Sequence, residues 1–538
     1  MSTQVPTTPT ARPEDTVPGP APRWLGAVSG LLAAATAIGA GELVAGLQAR
    51  WPSPVVAIAD LVAELSPQPV TSWAIDTFGT ADKPVTITGI VVVLAAAGAG
   101  LGVLARRRPL VASLGVALLG SVAVLAGALA PGERFGTALP GVVATIAGVV
   151  ALLLLAAGMS RHGSGSRTPA DARPWSEGPD PDAQGRRRFL VLAATIGAGA
   201  VAMTTAGRVL VSRFDVDAAR AALALPRPTR RLDLPAPGGA ELAVEGLSPL
   251  FTPNGDFYRI DTAFSVPRID PQTHRLQVTG MVDQPLDLDY PSLLERDMIE
   301  VPITLSCVSN EIGGDLVGNA VLLGFPLRDL LDEAGVSTDA DQVVGRSVDG
   351  FTAGFPVSAA YDRDALVAVG MNGEPLPAQH GFPLRLVVPG LYGYVSATKW
   401  LGAIELTRFD RFDAYWVPRG WSAQGPIKTM SRIDVPGGLA EVGAGTVAVA
   451  GVAWAPTRGI ERVEVQVDDE PWQPAELAAP VNDLTWRQWV LRWEATPGRH
   501  RIRVRATDGA GETQTEQRAP VMPDGATGWH TITVTVTG

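Results

Sequence analysis

The chain has 538 residues, 46% of them hydrophobic and 18% charged, with 43 Lys+Arg against 54 Asp+Glu. That length implies two or three domains, and the apolarity excludes wholesale disorder and points to membrane segments. The formal charge of -11 excludes nucleic acid as a partner.

Five long apolar runs fall in the first 211 residues: Leu25–Leu47, Val85–Ala105, Leu110–Ala130, Leu139–Met159 and Phe189–Val211. Each is near the roughly 20 residues that cross a bilayer, whereas buried helices of a water-soluble protein are shorter and keep a polar face. The reading is therefore a disordered tail at 1–23, four membrane helices within 24–160, a loop at 161–188 and a fifth helix at 189–211. Arg12, Arg23, Arg106, Arg107, Arg108, Arg161, Arg167, Arg173, Arg186, Arg187 and Arg188 lie on one side, against Arg50, Lys83 and Arg134 on the other. This bias places the N-terminus in the cytoplasm of a bacterial cell and residues 212–538 outside.

Arg186 and Arg187, followed by Arg188, Phe189 and Leu190, precede a Gly/Ala-rich run. The arrangement resembles a twin-arginine export signal, which carries a domain across already folded; a plain basic stop before a helix is the alternative. None of His162, His274, His380, His500 and His530 lies in an apolar run, so the anchor holds no bis-histidine haem. Acids and bases are nearly absent from the runs, which makes the anchor a structural part of the bilayer. The half-apolar outer loop Gln48–Pro84 is expected on the membrane surface.

Residues 212–245, rich in Pro, Arg and Gly, read as a linker. Over 246–412 short β-like runs mix with helical patches such as PLRDLLDEAG, an α+β pattern. From 413 to 538 the texture becomes strict alternation: Val463, Val465 and Val467 share a face opposite Arg462, Glu464 and Gln466. Strands of this kind with turns between them predict an immunoglobulin-like β-sandwich, with Trp486, Trp489 and Trp493 in its core and interface.

The single cysteine, Cys307, excludes an intramolecular disulfide, a Cys-type zinc site and an iron–sulfur cluster. It ends an apolar run before a Gly-rich loop, where a side chain can face a pocket. Taken alone it is equally a buried inert thiol. A thiol redox sensor lacks a resolving cysteine.

Three stretches together resemble the sulfite-oxidase family of molybdopterin enzymes. The first, TPNGDFYRIDTAFSVP, holds Asn254, Phe257 and Tyr258; the second is the Cys307 loop; the third, MNGEPLPAQHGFPLRLVVPGLYGYVSATKWLGAIEL, is close to the family's full motif. The resemblance covers roughly 246–538, the sandwich being similar to that family's C-terminal dimerisation domain and implying a homodimer. It implies a molybdenum–molybdopterin cofactor at 246–412, with Cys307 as the one protein ligand, a soft thiolate for a soft metal. It further implies that Asn254, Phe257, Tyr258, Asn310, His380, Arg385 and Lys399 hold the pterin and its phosphate. Ser396 and the turn from Gly390 to Gly393 would allow it to approach closely. Without a haem in this chain, electrons would pass to or from a separate carrier.

The departures bear on the substrate. Family sulfite oxidases carry C-x-GNRR at the ligand, where this chain has Asn310 followed by Glu311; they place a tyrosine near the metal, where this chain has Phe351. A doubly negative anion wants fixed positive charge. The expectation is thus an outward-facing, membrane-anchored oxidoreductase acting by oxygen-atom transfer or its two-electron equivalent on a small substrate other than sulfite. A non-catalytic cofactor-binding or adhesion module that keeps the fold is the alternative.

Overall fold

The computed structural model describes residues 21–48, 51–78, 81–131, 134–160, 181–213, 215–232 and 239–538. Nearly all of the expected tail and most of the loop at 161–188 lie outside the described residues. The chain divides into two compact units, Met1–Phe214 and Asp215–Gly538.

The first unit is helical, and helices satisfy their own backbone groups as a chain in hydrocarbon would have to. It comprises α1 (Arg23–Ala45), α2 (Pro54–Leu65), α3 (Gln68–Phe78), α4 (Asp82–Ala105), α5 (Pro109–Leu129), α6 (Arg134–Ser160) and α7 (Pro181–Ser212). Five helices among the described residues are long and apolar enough to cross a membrane. α1 is central and packs on α4, α6 and α7. Where it meets α4, a Cβ on Gly30 would collide with the Gly98 carbonyl, so small residues let the two backbones touch.

The loop expected on the membrane surface forms α2 and α3. Ser53 Oγ caps α2 by accepting from Val56 N–H (3.3 Å), and α2 buries Pro54, Val55, Ala57 and Ala59, packing on α5, α4 and α1. Its apolar face has a partner within the bundle. α7 starts at Pro181, eight residues before the expected fifth helix, and runs unbroken through the three arginines.

The second unit begins with one mixed and one antiparallel sheet. One sheet orders Leu286–Asp289, Arg275–Gly280, Leu401–Thr407, Gln342–Ser347 and Thr352–Pro356. The other orders Ile299–Ser306, Val317–Pro326, Leu366–Met371 and Glu374–Pro375, with Arg385–Val387 also paired to Leu366–Met371. The helix read from PLRDLLDEAG is Leu327–Ala334; it buries Leu327, Leu330, Leu331 and Ala334 on one face and stops at Gly335 with φ 67°.

The Pro-rich stretch is no free linker beyond Phe214. Arg220 donates to the carbonyls of Leu376 and Pro375, Thr229 N–H bonds Met298 O (2.8 Å), and Arg230 bridges Ile299 at a sheet edge. An extended chain leaves its polar groups open, and here an edge strand takes them.

The last third is two sheets face to face: Met430–Val435, Gly445–Trp454, Arg487–Ala495 and Glu476–Leu477 on one side, and Glu441–Gly443, His530–Thr537, Gly498–Asp508, Ile460–Val467 and Gln473–Pro474 on the other. Val463, Val465 and Val467 point into the shared core with Trp489 and Trp493. Trp486 belongs to the neighbouring core, donating from its indole to Leu250 O (2.8 Å). Trp486 immediately precedes the strand Arg487–Ala495 and anchors its start to the neighbouring core.

Candidate active site

Cys307 heads the ten-residue connection between Ile299–Ser306 and Val317–Pro326, antiparallel strands in register Ser306 to Val317. The loop is closed from within. Cys307 N–H bonds Leu316 O (2.9 Å), Asn310 N–H bonds Cys307 O (3.1 Å), Gly314 N–H bonds Glu311 O (2.9 Å), and Asn310 Oδ1 accepts from Leu316 N–H (2.9 Å). The thiol is 9% exposed. Burial pushes it up, and hydrogen bonding from Ser309 and the field of Lys399 only partly oppose this. A soft cation would reverse that balance.

The third motif delivers three basic groups to one place. A bridge between Leu386 and Thr398 sets Arg385 and Lys399 side by side, and Gly381 (φ 112°) lets the backbone after His380 pass within contact of Lys399. All three side chains are buried. Arg385 Nη1 donates to His380 O (3.3 Å), and Lys399 Nζ reaches Asp261 Oδ2 (3.2 Å). Burial, then the fields of Arg385 and Lys399, hold His380 down at about 3; burial brings Lys399 down to about 8 despite Asp261. His380 Nδ1 and Arg385 Nε are buried without a hydrogen-bond partner, and burial is the main influence on the guanidinium.

A buried arginine without a counter-ion is costly, and removing such costs is what a bound anion does. These residues therefore fit the anionic end of a molybdopterin. Among the described residues no group of three or more His, Cys, Asp or Glu could hold a metal by itself. A metal here would take further ligands from a bound group, with Cys307 as the nearest soft donor.

The first stretch meets the other two. Phe257 packs edge-on to His380 (5.6 Å between ring centres), lies against Gly318 beside the Cys307 loop, and stacks on Tyr258. Burial raises the Tyr258 phenol, the Cys307 field adds to this and Arg385 opposes it. Asn254 offers its carbonyl to His380 Nε2 (3.3 Å), while its side chain is spent on Glu374, Met371 and Asn372.

Of the other sequence-predicted residues, Ser396 and Gly390 are engaged within the scaffold. Ser396 Oγ is taken by the carbonyls of Leu391 and Tyr392 (3.0 Å each). Gly390 (φ 78°) is tight against Thr457, where a Cβ would lie 2.7 Å from Cγ2; the close approach is the sandwich's. Gly393 meets only ordinary contacts at Ala397 and Ser306. Glu311 is exposed on the loop. Phe351 is half-buried against Tyr415 (5.7 Å), on a turn whose Asp349 feels Asp261 and Lys399.

Sequence reasoning missed Asp261, Tyr392, Arg432 and His530. Asp261 sits four residues beyond Phe257, inside the first stretch. Tyr392, in the third motif, is buried and pushed up to about 12 by burial, with Cys307 contributing. Arg432 and His530 come from the sandwich, and no local pattern marks them.

The comparisons with known proteins bear on the family of the chain. Residues 263–416 match the family described as "Oxidoreductase molybdopterin binding domain". Mitochondrial sulfite oxidase of Mus musculus is 29% identical over 363 residues, 57% of this chain and 66% of that protein, so the match leaves about a third of the relative uncovered. "Uncharacterized oxidoreductase YuiH" of Bacillus subtilis is 34% identical over 150 residues, 28% of this chain and 73% of the relative. The structure of sulfane dehydrogenase SoxCD from Paracoccus pantotrophus matches at TM-score 0.45 and 24% identity, over 51% of this chain and 75% of that one. The chain belongs to the sulfite-oxidase family of molybdopterin-binding oxidoreductases.

Proposed function

We propose that this protein is a membrane-anchored oxidoreductase whose second unit faces outward, holds a molybdenum–molybdopterin, and acts on a small neutral substrate. The observation that carries the cofactor reading is Arg385: buried, with an unbonded Nε, and beside His380 and Lys399. Arg385, Lys399 and His380 would neutralise the phosphate, Tyr258 would border the metal side, and Cys307 would be the protein's ligand. The bound cofactor supplies two-electron redox chemistry and exchange of an oxygen atom. Tyr258 keeps its phenol proton at neutral pH and can donate it in a hydrogen bond.

Glu311 in an arginine's place and Phe351 in a tyrosine's place support a neutral substrate such as a sulfoxide. It would take up two electrons and two protons and leave as sulfide and water, the electrons arriving from a separate carrier. Five membrane-length helices and the arginine bias support a cytoplasmic N-terminus, with export through the twin-arginine-like sequence. The sandwich, of immunoglobulin type in this reading, is the surface for a homodimer.

Sulfite is the second reading. The fields of Arg432 and Arg518 both reach His530 beside the Cys307 loop, and solvent screens the exposed Glu311. Steady-state assays with sulfite and a panel of neutral sulfoxides decide between them. Sulfoxide turnover with poor sulfite turnover supports the neutral reading; a sulfite kcat/KM near 10⁶ M⁻¹s⁻¹, ordinary for a good enzyme, overturns it. No turnover of any substrate by fully loaded protein would favour the non-catalytic alternative.

A further inference from the structure

The Cys307 loop is held from outside its own domain. Arg432, on the first strand of the sandwich, donates from Nη1 to Gly314 O (2.9 Å), from Nε to Asp434 (2.6 Å) and from Nη2 to Ser248 Oγ (2.9 Å). Ser248 N–H returns to Asp434 Oδ2 (3.1 Å), closing a ring that leaves the guanidinium one orientation. Arg432 and Asp434 are largely buried, so this pair is not a loose surface contact.

His530, on the last strand, meets the same loop one residue earlier. Its Nδ1 accepts from Ile433 N–H (3.0 Å), which leaves the ring proton on Nε2, and that edge lies where a side chain on Gly313 would be. Gly313 has φ 79°, so the loop turns left-handed where the histidine leans on it. Six residues after the thiol, two side chains of another domain thus fix the turn's backbone. Besides the loop's own bonds, which include Gly314 N–H to Glu311 O, Gly313 and Gly314 have support from outside the loop.

We infer that Arg432, backed by His530, is a positioning residue for Cys307: the sandwich sets the geometry of the metal-ligand loop as well as offering an outer surface. The inference rests on Cys307 being the ligand. Arg432 acts through Gly314 and the Leu316–Cys307 pairing, without touching the substrate.

The test uses the full chain as purified, with Arg432→Gln, Arg432→Lys and Gly313→Ala, and Arg458→Gln as control. Arg458 ties Asp508 and Thr429 together within the sandwich and touches no residue of the loop. In cofactor-free protein, hydrogen exchange of the Cys307, Gly314 and Leu316 amides should quicken about tenfold in Arg432→Gln and Gly313→Ala, and stay unchanged in the control. In loaded protein the same two variants should keep the pterin and shift the thiolate-to-metal absorption band. Their kcat should fall about 10–100-fold with KM little changed, with partial recovery in Arg432→Lys. Wild-type exchange and spectrum in both variants overturn the inference, as does an equal shift in the control. If Arg432→Gln does not fold, Gly313→Ala decides alone. If Cys307→Ser leaves the wild-type spectrum unaltered, it is the ligand assignment that fails.

Discussion

Neutral His380 makes the protein sensitive to acid in a definite window. Its folded value of about 3 lies below the ordinary 6.5, so between those pH values the unfolded chain binds the proton and the folded one does not. The stability is present above about 6.5 and drains away as pH falls towards 3, by at most about 1.4 kcal/mol per pH unit. His530, held at about 4 mainly by burial, acts in the same direction. An anion among Arg385, Lys399 and His380 would lift the His380 value and narrow the window. Thermal midpoints of cofactor-free and loaded protein at pH 7 and 4.5 should therefore differ more at pH 4.5, and His380→Gln should flatten the cofactor-free curve. Equal acid sensitivity of both forms would speak against an anion at this cluster. Phe351→Tyr restores the hydroxyl that family sulfite oxidases carry, and sulfite kcat/KM should rise about tenfold or more. An unchanged value would mean that Phe351 does not face the substrate.

At the scale of elements, the third motif was legible because it is contiguous: His380, Arg385 and Lys399 meet through one bridge between Leu386 and Thr398. The five apolar runs were legible because length and apolarity are the physics of spanning. Gly390 was read as making room for a cofactor, yet its space is filled by Thr457, some 70 residues on, and no local pattern announces that partner. Still larger distances in sequence hid Arg432, 118 residues from Gly314, and His530. Ser396 was read as allowing the cofactor a close approach; its hydroxyl, inside a helical turn, bonds the carbonyls of Leu391 and Tyr392 behind it. Gly390→Ala adds a Cβ at positive φ against Thr457 and the Pro456 carbonyl, and should cost roughly 1–3 kcal/mol, read as a lower thermal midpoint. An unshifted midpoint would mean that this seam gives way freely. Lysine at both Arg186 and Arg187 should leave the first four membrane helices inserted and keep residues 215–538 inside; normal export would reduce the arginines to a topology signal.

At the scale of the molecule, a unit with five membrane-length helices and a redox unit share one chain, and the proposed topology gives them a direction through the arginine bias. A reporter that works only outside the cytoplasm should be active after Gly136 and after Ser212, and silent after Arg167; the reverse pattern would invert the topology. The central claim is chemical: one thiol and three buried basic groups exist to hold a molybdenum–pterin. Metal and pterin should therefore be quantified on the purified full chain and on Cys307→Ser. The account predicts about one molybdenum and one pterin per chain in the wild type, and pterin with an altered or lost metal in Cys307→Ser. Wild-type protein that carries neither, from cells that load other molybdenum enzymes, would contradict it.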